Sequence, residues 1–429
     1  MPAAPPLTTR QRPWLAALGV AGLLSGACQR GAPTSPAAAA TLPPVAPAPV
    51  DEVAPGGADP AAQLWSATAP HRLRLELAPA DWAALGADAP SEAERPGLLW
   101  WDGGQIPDVH VSLRGREGSF LPIWRKPKLR FDFNDLVDNR LIMGQKALAI
   151  NNSSADCSLM RDVAGLELFR RAGVATPRST WGRLAINDVE YGVLPMIEVV
   201  DDRFLAARFD EAEGNLYDGK YVYDADGAVV LLDLRPETAA LYEQEEGEDV
   251  ALADIWAVTE AATAHFGQPD WMAATSPLVD WPAVQRFLAA ERVAGQVDGY
   301  TLNRNNYFVY FDPGDGRLQL IPWDLDNSFR WAADWGMDWE APIGILAHGC
   351  RVDPTCAAGL AAEVDALVRT LEAEDFDGWV AAQAAALVEA QPDDPRDRCS
   401  PSRVAAEQEE LFARMPLLRA DALAAWGTR

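Results

Sequence analysis

Between Asp298 and Asp326 the chain sets acids and carboxamides at spacings suited to holding a divalent cation against phosphate. Asp298 follows a helical run, Asn303 stands five residues on, and Asn306 directly precedes an apolar hairpin. The hairpin's two strands are expected at residues 307–311 and 317–321, turned by Asp312-Pro313-Gly314-Asp315-Gly316, and at its far end come Trp323-Asp324-Leu325-Asp326. Mg²⁺ takes hard oxygen ligands, usually one or two carboxylates with phosphate oxygens and water. One acid to accept a hydroxyl proton, with an amide and a second acid to hold the cation, are the parts that phosphoryl transfer requires. A capped, solvated turn uses the same residue types, so the spacing alone admits both readings.

The elements that must position these groups are of both kinds. Leu73, Leu75 and Leu77 alternate with charged residues, and Val109, Val111 and Leu113 repeat the pattern. A third strand, residues 128–133, turns Leu129, Phe131 and Phe133 to one side and Lys128, Arg130 and Asp132 to the other. Between the last two lies a glycine-bearing turn, Arg114 to Ser119, which is either an ordinary hairpin turn or a cover for phosphates. A helix is expected over residues 158–172, started by Asp156 or Ser158 and ended by Gly173. Strands follow at 183–186 and 192–199, joined by Asn187-Asp188. Helices then dominate, at about 250–264, 282–294, 359–371 and 404–415. The acidic run 243–249 reads as a solvated loop, and Asp224-Ala225-Asp226-Gly227 as a hairpin turn rather than a calcium loop, because the later bidentate Glu is missing. No internal repeat is present. The order predicts an α+β fold in two lobes, β-rich over residues 64–200 and mainly helical over 201–429.

The string from Asp298 through Asn303, Asn306 and Tyr307 to Tyr310, then Leu320 through Trp323, Asp324 and Asp326 to Phe329, resembles the signature of the CotH (spore-coat protein H) kinase family. Other blocks agree in order: Leu113-Arg114-Gly115 with Ser119; Lys126-Pro127-Lys128-Leu129-Arg130-Phe131; Asn151-Asn152 with Asp156 and Arg161; Glu198 to Leu205; and Gly214-Asn215-Leu216-Tyr217. The resemblance covers roughly residues 73–329. Asn305 departs from it, standing where members often carry His.

The resemblance implies an atypical protein-kinase fold with ATP and Mg²⁺ (or Mn²⁺) between the lobes, acting on protein hydroxyl groups. Asp298 matches the catalytic acid and Asp324 the metal-binding one, with Asp326 as a second ligand or a structural cap. Asn303 is favoured over Asn306 for the metal by its spacing. Lys128 is the choice for the phosphate-facing lysine, with Lys126 as the alternative; Arg114 belongs to the turn beside the nucleotide. Glu198 either lies at the nucleotide or pairs with that lysine, and Arg161 is assigned equally to a structural ion pair and to phosphate. Two rivals keep the fold: a non-catalytic, membrane-tethered surface protein, and transfer of AMP instead of phosphate.

Charge and the N-terminal segment set the context. The 429 residues carry 36 basic and 63 acidic side chains, a net charge of −27, which opposes nucleic acid as a partner. Arg10 and Arg12 precede an apolar run over residues 14–24, and Leu24-Ser25-Gly26-Ala27-Cys28 looks like a lipobox with Cys28 as the lipidated residue. Residues 1–28 are therefore expected to be an export signal, with a lipid anchor to a membrane and ordinary secretion as the alternative. Residues 29–63 read as an Ala/Pro-rich tether: of the 32 residues from 29 to 60, 17 are Ala or Pro, too little apolar surface to offset their ordering entropy. Four further cysteines permit three pairings in an oxidising compartment, and Cys350 with Cys356 is favoured. Their spacing fits no zinc pattern, and the four histidines form no HExxH. The acceptor protein is not identified by the sequence.

Overall fold

The computed structural model describes residues 61–87, 93–116, 118–249, 251–390 and 399–428. The expected export signal, its Cys28 and the expected tether up to residue 60 lie outside them. The tether's expected end does not reach residue 63, because α1 (Ala62–Trp65) already sends Leu64 into the core, where Leu64 carbonyl meets His71 Nε2 at 3.0 Å.

Seven strands form a closed barrel in the order β1-β2-β3-β4-β5-β7-β6: β1 (His71–Glu76), β2 (Arg95–Trp101), β3 (Gly104–Arg114), β4 (Lys128–Asp132), β5 (Ala147–Ile150), β6 (Ser179–Ile186) and β7 (Val189–Glu198). Helix α2 (Pro79–Ala87) follows β1. The alternation read from sequence is the barrel's inside: Leu73, Leu75, Val109, Val111, Leu129, Phe131 and Phe133 are all buried in one apolar cluster. Closure comes from parallel pairing of β1 with β6, His71 opposite Gly182 through Leu75 opposite Ile186. Every other neighbouring pair is antiparallel. The β6–β7 turn uses Asn187 and Asp188, both at positive φ, as a two-residue hairpin with right-handed twist requires. His110 on β3 pairs with Glu94 and Asp135, tying the approach to β2 to the exit of β4 on the outer surface.

Helix α3 (Arg161–Arg171) leaves this barrel core and joins the larger helical one, where Phe169 meets Phe287 edge to face at 5.4 Å. Helix α4 (Asp202–Ala206) is capped by Asp201, and β8 (Asn215–Asp218) enters a second sheet. A small hairpin, β9 (Val222–Tyr223) and β10 (Val229–Val230), turns at Asp224–Gly227. The acidic run does not stay a loop: β11 (Glu243–Glu246) is the edge of the sheet β11-β8-β12-β13, with β12 (Tyr307–Asp312) and β13 (Arg317–Pro322). Its alternate glutamates face outward onto Lys220, a charged edge that resists pairing with another chain.

The helical part comprises α5 (Ala253–Ala264), α6 (Trp271–Thr275), α7 (Trp281–Ala294), α8 (Tyr300–Asn303), α9 (Ile345–Val352), α10 (Pro354–Ala373), α11 (Phe376–Ala390) and α12 (Pro401–Trp426). Asp280 caps α7 by accepting from Ala283 N–H at 3.3 Å, and Gly295 at φ +57 ends it. Cys350 and Cys356 are joined as expected, with Asp353 between them capping α10. The second bridge, Cys157–Cys399, ties the approach to α3 to the start of α12. No helix among the described residues is long and apolar enough to cross a membrane.

Candidate active site

Helix α7 delivers the chain to Asp298, and a buried acid controls how it turns. Glu291, 1% exposed, accepts from the N–H groups of Tyr300 at 2.7 Å and Thr301 at 2.8 Å, so a side chain from one helix satisfies the first donors of the next. A Cβ on Gly299 would stand 2.0 Å from Glu291 Oε1, so this close approach demands glycine. Burial pushes the Glu291 carboxyl up to about 7, opposed by the hydrogen bonds from Thr301 and Tyr300.

Asp298 sits in a cage of four carboxamides. Asn303 Nδ2 donates to Oδ1 at 2.5 Å and Asn305 Nδ2 to the same oxygen at 3.3 Å. Asn306 Nδ2 donates to Oδ2 at 3.1 Å and to the Asp298 carbonyl at 3.0 Å, and Asn327 Nδ2 to Oδ2 at 3.4 Å. The turn that brings them round needs left-handed backbone at Arg304 and Asn306, φ +51 and +56. Burial raises the Asp298 carboxyl above the usual range; the amides of Asn303 and Asn305 oppose this, and the charge of Asp324 adds to it.

Facing this cage, β4 and the exit of β13 meet. Lys128 Nζ donates to both oxygens of Asp324, at 2.7 and 3.0 Å, and lies 3.6 Å from Asp326 Oδ2. Burial opposes the lysine's charge, but Asp324, Asp326 and Asp162 together hold its pKa above the ordinary value. Asp326 is pushed up to about 7 by burial and by the neighbouring Asp324. Asp324 is held at φ +47, a left-handed position that aims its carboxylate at β4.

The other sequence-selected residues divide. Arg114, opposite Lys128 in the β3–β4 register, lays its guanidinium over the Trp323 ring at 5.5 Å. Lys126 is buried just ahead of β4, but the ion pair with Asp324 is made by Lys128. Glu198 does not pair with that lysine: Arg178 at 2.6 Å and Arg208 at 2.5 Å hold it at the end of β7. Arg161 is structural, 1% exposed, paired with Asp156 at 3.3 Å and donating to the carbonyls of Ser328 and Phe329. The turn after Arg114 is anchored to the site, since Asn152 Nδ2 donates to the Ser119 carbonyl at 2.9 Å.

Sequence reasoning passed over Glu291, Asn327, Asn151 as a contact residue, and Asp162. Asn151 Nδ2 donates to Asp324 Oδ1 at 3.0 Å and also to Asp162 Oδ2. The visible signal was an acid in the first turn of α3 beside an arginine, which reads equally well as ordinary helix-start chemistry.

The donor set is all oxygen: the carboxylates of Asp324 and Asp326, with the carboxamides of Asn303 and Asn306 close to Asp298. Buried around it, Asp162 Oδ1, Gln296 Oε1 and Asn327 Oδ1 have no hydrogen-bond partner among the described residues. Such acceptors fit a hard divalent cation and its water, and among the described residues no soft ligand is brought to this site.

A model of the CotH kinase protein family matches residues 114–372, more than half of the chain. The inner spore coat protein H of Bacillus subtilis (strain 168) is 26% identical over 257 residues, spanning 56% of this chain and 64% of that protein. The solved complex of the Shewanella oneidensis MR-1 toxin–antitoxin proteins HipA and HipB with operator DNA aligns at 16% identity over 63% of this chain and 57% of that one, with a TM-score of 0.27.

Proposed function

The chain belongs to the CotH kinase family, and from that premise we propose that it is an atypical Ser/Thr protein kinase that transfers the γ-phosphoryl group of ATP to protein hydroxyls outside the cytoplasm. The barrel and the helical part then serve as the two lobes of a kinase fold. The observation that supports the reading most is the meeting of Lys128 with Asp324 beside the caged Asp298.

In this reading the acceptor hydroxyl loses its proton to Asp298, its oxygen bonds to the γ-phosphorus, and the bond to the β-phosphate oxygen breaks to release ADP. The amide cage holds Asp298 in one orientation, so little motion separates the resting carboxylate from the accepting one. Lys128 exchanges its contact with Asp324 for a phosphate oxygen. A divalent cation, Mg²⁺ or Mn²⁺, held by Asp324, Asp326 and Asn303 or Asn306, would offset the phosphate charge. Arg114 and the turn to Ser119 close over the nucleotide from β3.

Two disulfides in the described residues support an oxidising compartment, consistent with export and a lipid anchor at Cys28. The reading is tested by parallel incubations of the chain with Mg²⁺ and ATP labelled at the γ- or at the α-phosphate, using a mixed-sequence peptide library as acceptor. Transfer of the γ-label supports it. Transfer of the α-label alone gives AMP transfer instead, and absence of both labels with no nucleotide binding leaves a tethered, non-catalytic protein.

A further inference from the structure

Asp162 is an acid at this site without a role in the scheme above. It is 1% exposed, at the start of α3, and its Oδ2 accepts from Asn151 Nδ2. The other N–H of the same carboxamide reaches Asp324 Oδ1 at 3.0 Å. One NH₂ group thus joins two carboxylates, using both of its protons, and the two acids are linked although 162 residues apart in the chain. Asp162 is not itself placed as a ligand. Among the described residues the carboxylate oxygens of Asp162, Asp324 and Asp326 are not all within 4.8 Å of one another, a distance met only by Glu94, His110 and Asp135 on the barrel's outer surface.

The surroundings of Asp162 are built to hold still. A Cβ on Gly165, one turn along α3, would lie 2.9 Å from Ser328 Oγ and 3.0 Å from Leu325 Cβ, so the helix packs directly on the segment that follows Asp324. The stretch between Asn151 and α3 is fixed from outside. Cys157 is bridged to Cys399, its N–H donates to Glu407 Oε2 at 2.9 Å, and Gln408 Nε2 donates to the Ser158 carbonyl at 3.1 Å. α12 therefore braces the loop that presents Asn151.

We propose that Asp162 and Asn151 are positioning residues for the cation site: Asp162 orients the Asn151 carboxamide, and that carboxamide fixes the rotamer in which Asp324 takes the metal. The inference rests on Asp324 being a metal ligand, and it adds a relay through α3 that the ligand set does not contain. Partners of this kind typically change metal affinity by about 10–100-fold when removed.

The test is Mn²⁺ affinity by electron paramagnetic resonance, on full-length wild type and on Asp162→Ala, Asp162→Asn, Asn151→Ala and the Asp162→Ala/Asn151→Ala double variant, with thermal melting beside each. Asp162→Ala and Asn151→Ala are each expected to weaken Mn²⁺ binding by about 10-fold or more. Asp162→Asn, which keeps an acceptor oxygen, should stay close to wild type, and the double variant should be no weaker than either single one. Unchanged affinity in Asn151→Ala, or losses that add in the double variant, would overturn the relay while leaving the kinase reading intact. Should Asp162→Ala not fold, Asn151→Ala and Asp162→Asn decide the matter by the same criteria. A wild type that binds no Mn²⁺, with or without ATP, would overturn the kinase reading and the relay with it.

Discussion

Lys128 on β4 and Asp324 beyond β13 are joined through both carboxylate oxygens, at 2.7 and 3.0 Å, across 196 residues of sequence. The pair fastens the barrel to the sheet that follows the Asp298 loop, and in the proposed reaction the lysine would trade this contact for a phosphate oxygen and the carboxylate for a metal ion. Its energetics follow from burial. Lys128 is 7% exposed and faces Asp324, Asp326 and Asp162, so removing the ammonium leaves a group of acids without a counter-charge.

Lys128→Met is therefore expected to act twice. Removing one partner of a buried pair costs roughly 3–5 kcal/mol in well-buried cases, and here the lower end applies because Asp324 is one-quarter exposed. The melting temperature in chelator should fall accordingly, and added Mg²⁺ should restore more of it than in wild type. The KM for ATP should rise by at least about 10-fold, since one charge-assisted contact to phosphate is lost. Thermal melts with and without Mg²⁺, and steady-state kinetics, check both arms.

Glu291 supplies a pH dependence. Its folded pKa of about 7 lies above the ordinary 4.5, so the native state binds a proton that the unfolded chain has released between those values. Its contribution is complete below about pH 4.5 and is lost as pH rises through 7, a difference of about 3 kcal/mol. Urea denaturation across that range should show wild type losing stability relative to Glu291→Gln as pH rises. Parallel curves for the two proteins would contradict the assignment.

The Cys157–Cys399 bridge closes a loop of 242 residues and braces the approach to α3. Cys157→Ser/Cys399→Ser should lower stability by about 2–5 kcal/mol, the usual cost of losing a native disulfide. Because Asn151 is presented by the braced loop, turnover should fall more steeply on mild heating than in wild type. Cys350→Ser/Cys356→Ser, which opens a separation of only six residues, should cost less and leave that temperature profile unchanged. Calorimetry and assays over a temperature series separate the two bridges.

Much of the site was legible because its residues are local. Asn303 meets Asp298 five residues away and the two acids after the hairpin face Lys128, and strand alternation, with Leu129 and Phe131 filling the barrel, chose Lys128 over Lys126 for the lysine that the family resemblance implies. What was hidden depends on register between distant segments. Alternation shows that β1 and β6 are strands, but not that they pair in parallel and close a barrel. Glu198 was in view, but its partners Arg178 and Arg208 are chosen by the packing at the end of β7, and these take it from Lys128. Asp162 lies in an ordinary helix start, and only the fold reveals that Asn151 links it to Asp324. The acidic run became β11 because β8 offered an unpaired edge, which its charges alone do not announce.

In the proposed reaction Asp298 accepts the proton of the hydroxyl that becomes phosphorylated. The most direct measurement is the single-turnover rate of γ-phosphoryl transfer by wild type and Asp298→Ala at saturating ATP and Mg²⁺, with nucleotide affinity measured on both by calorimetry. A rate about 10²–10⁴-fold slower is expected in Asp298→Ala, with ATP affinity within about threefold of wild type, since the lost group assists proton transfer and does not hold the nucleotide. An Asp298→Ala protein that transfers phosphate at the wild-type rate would contradict it.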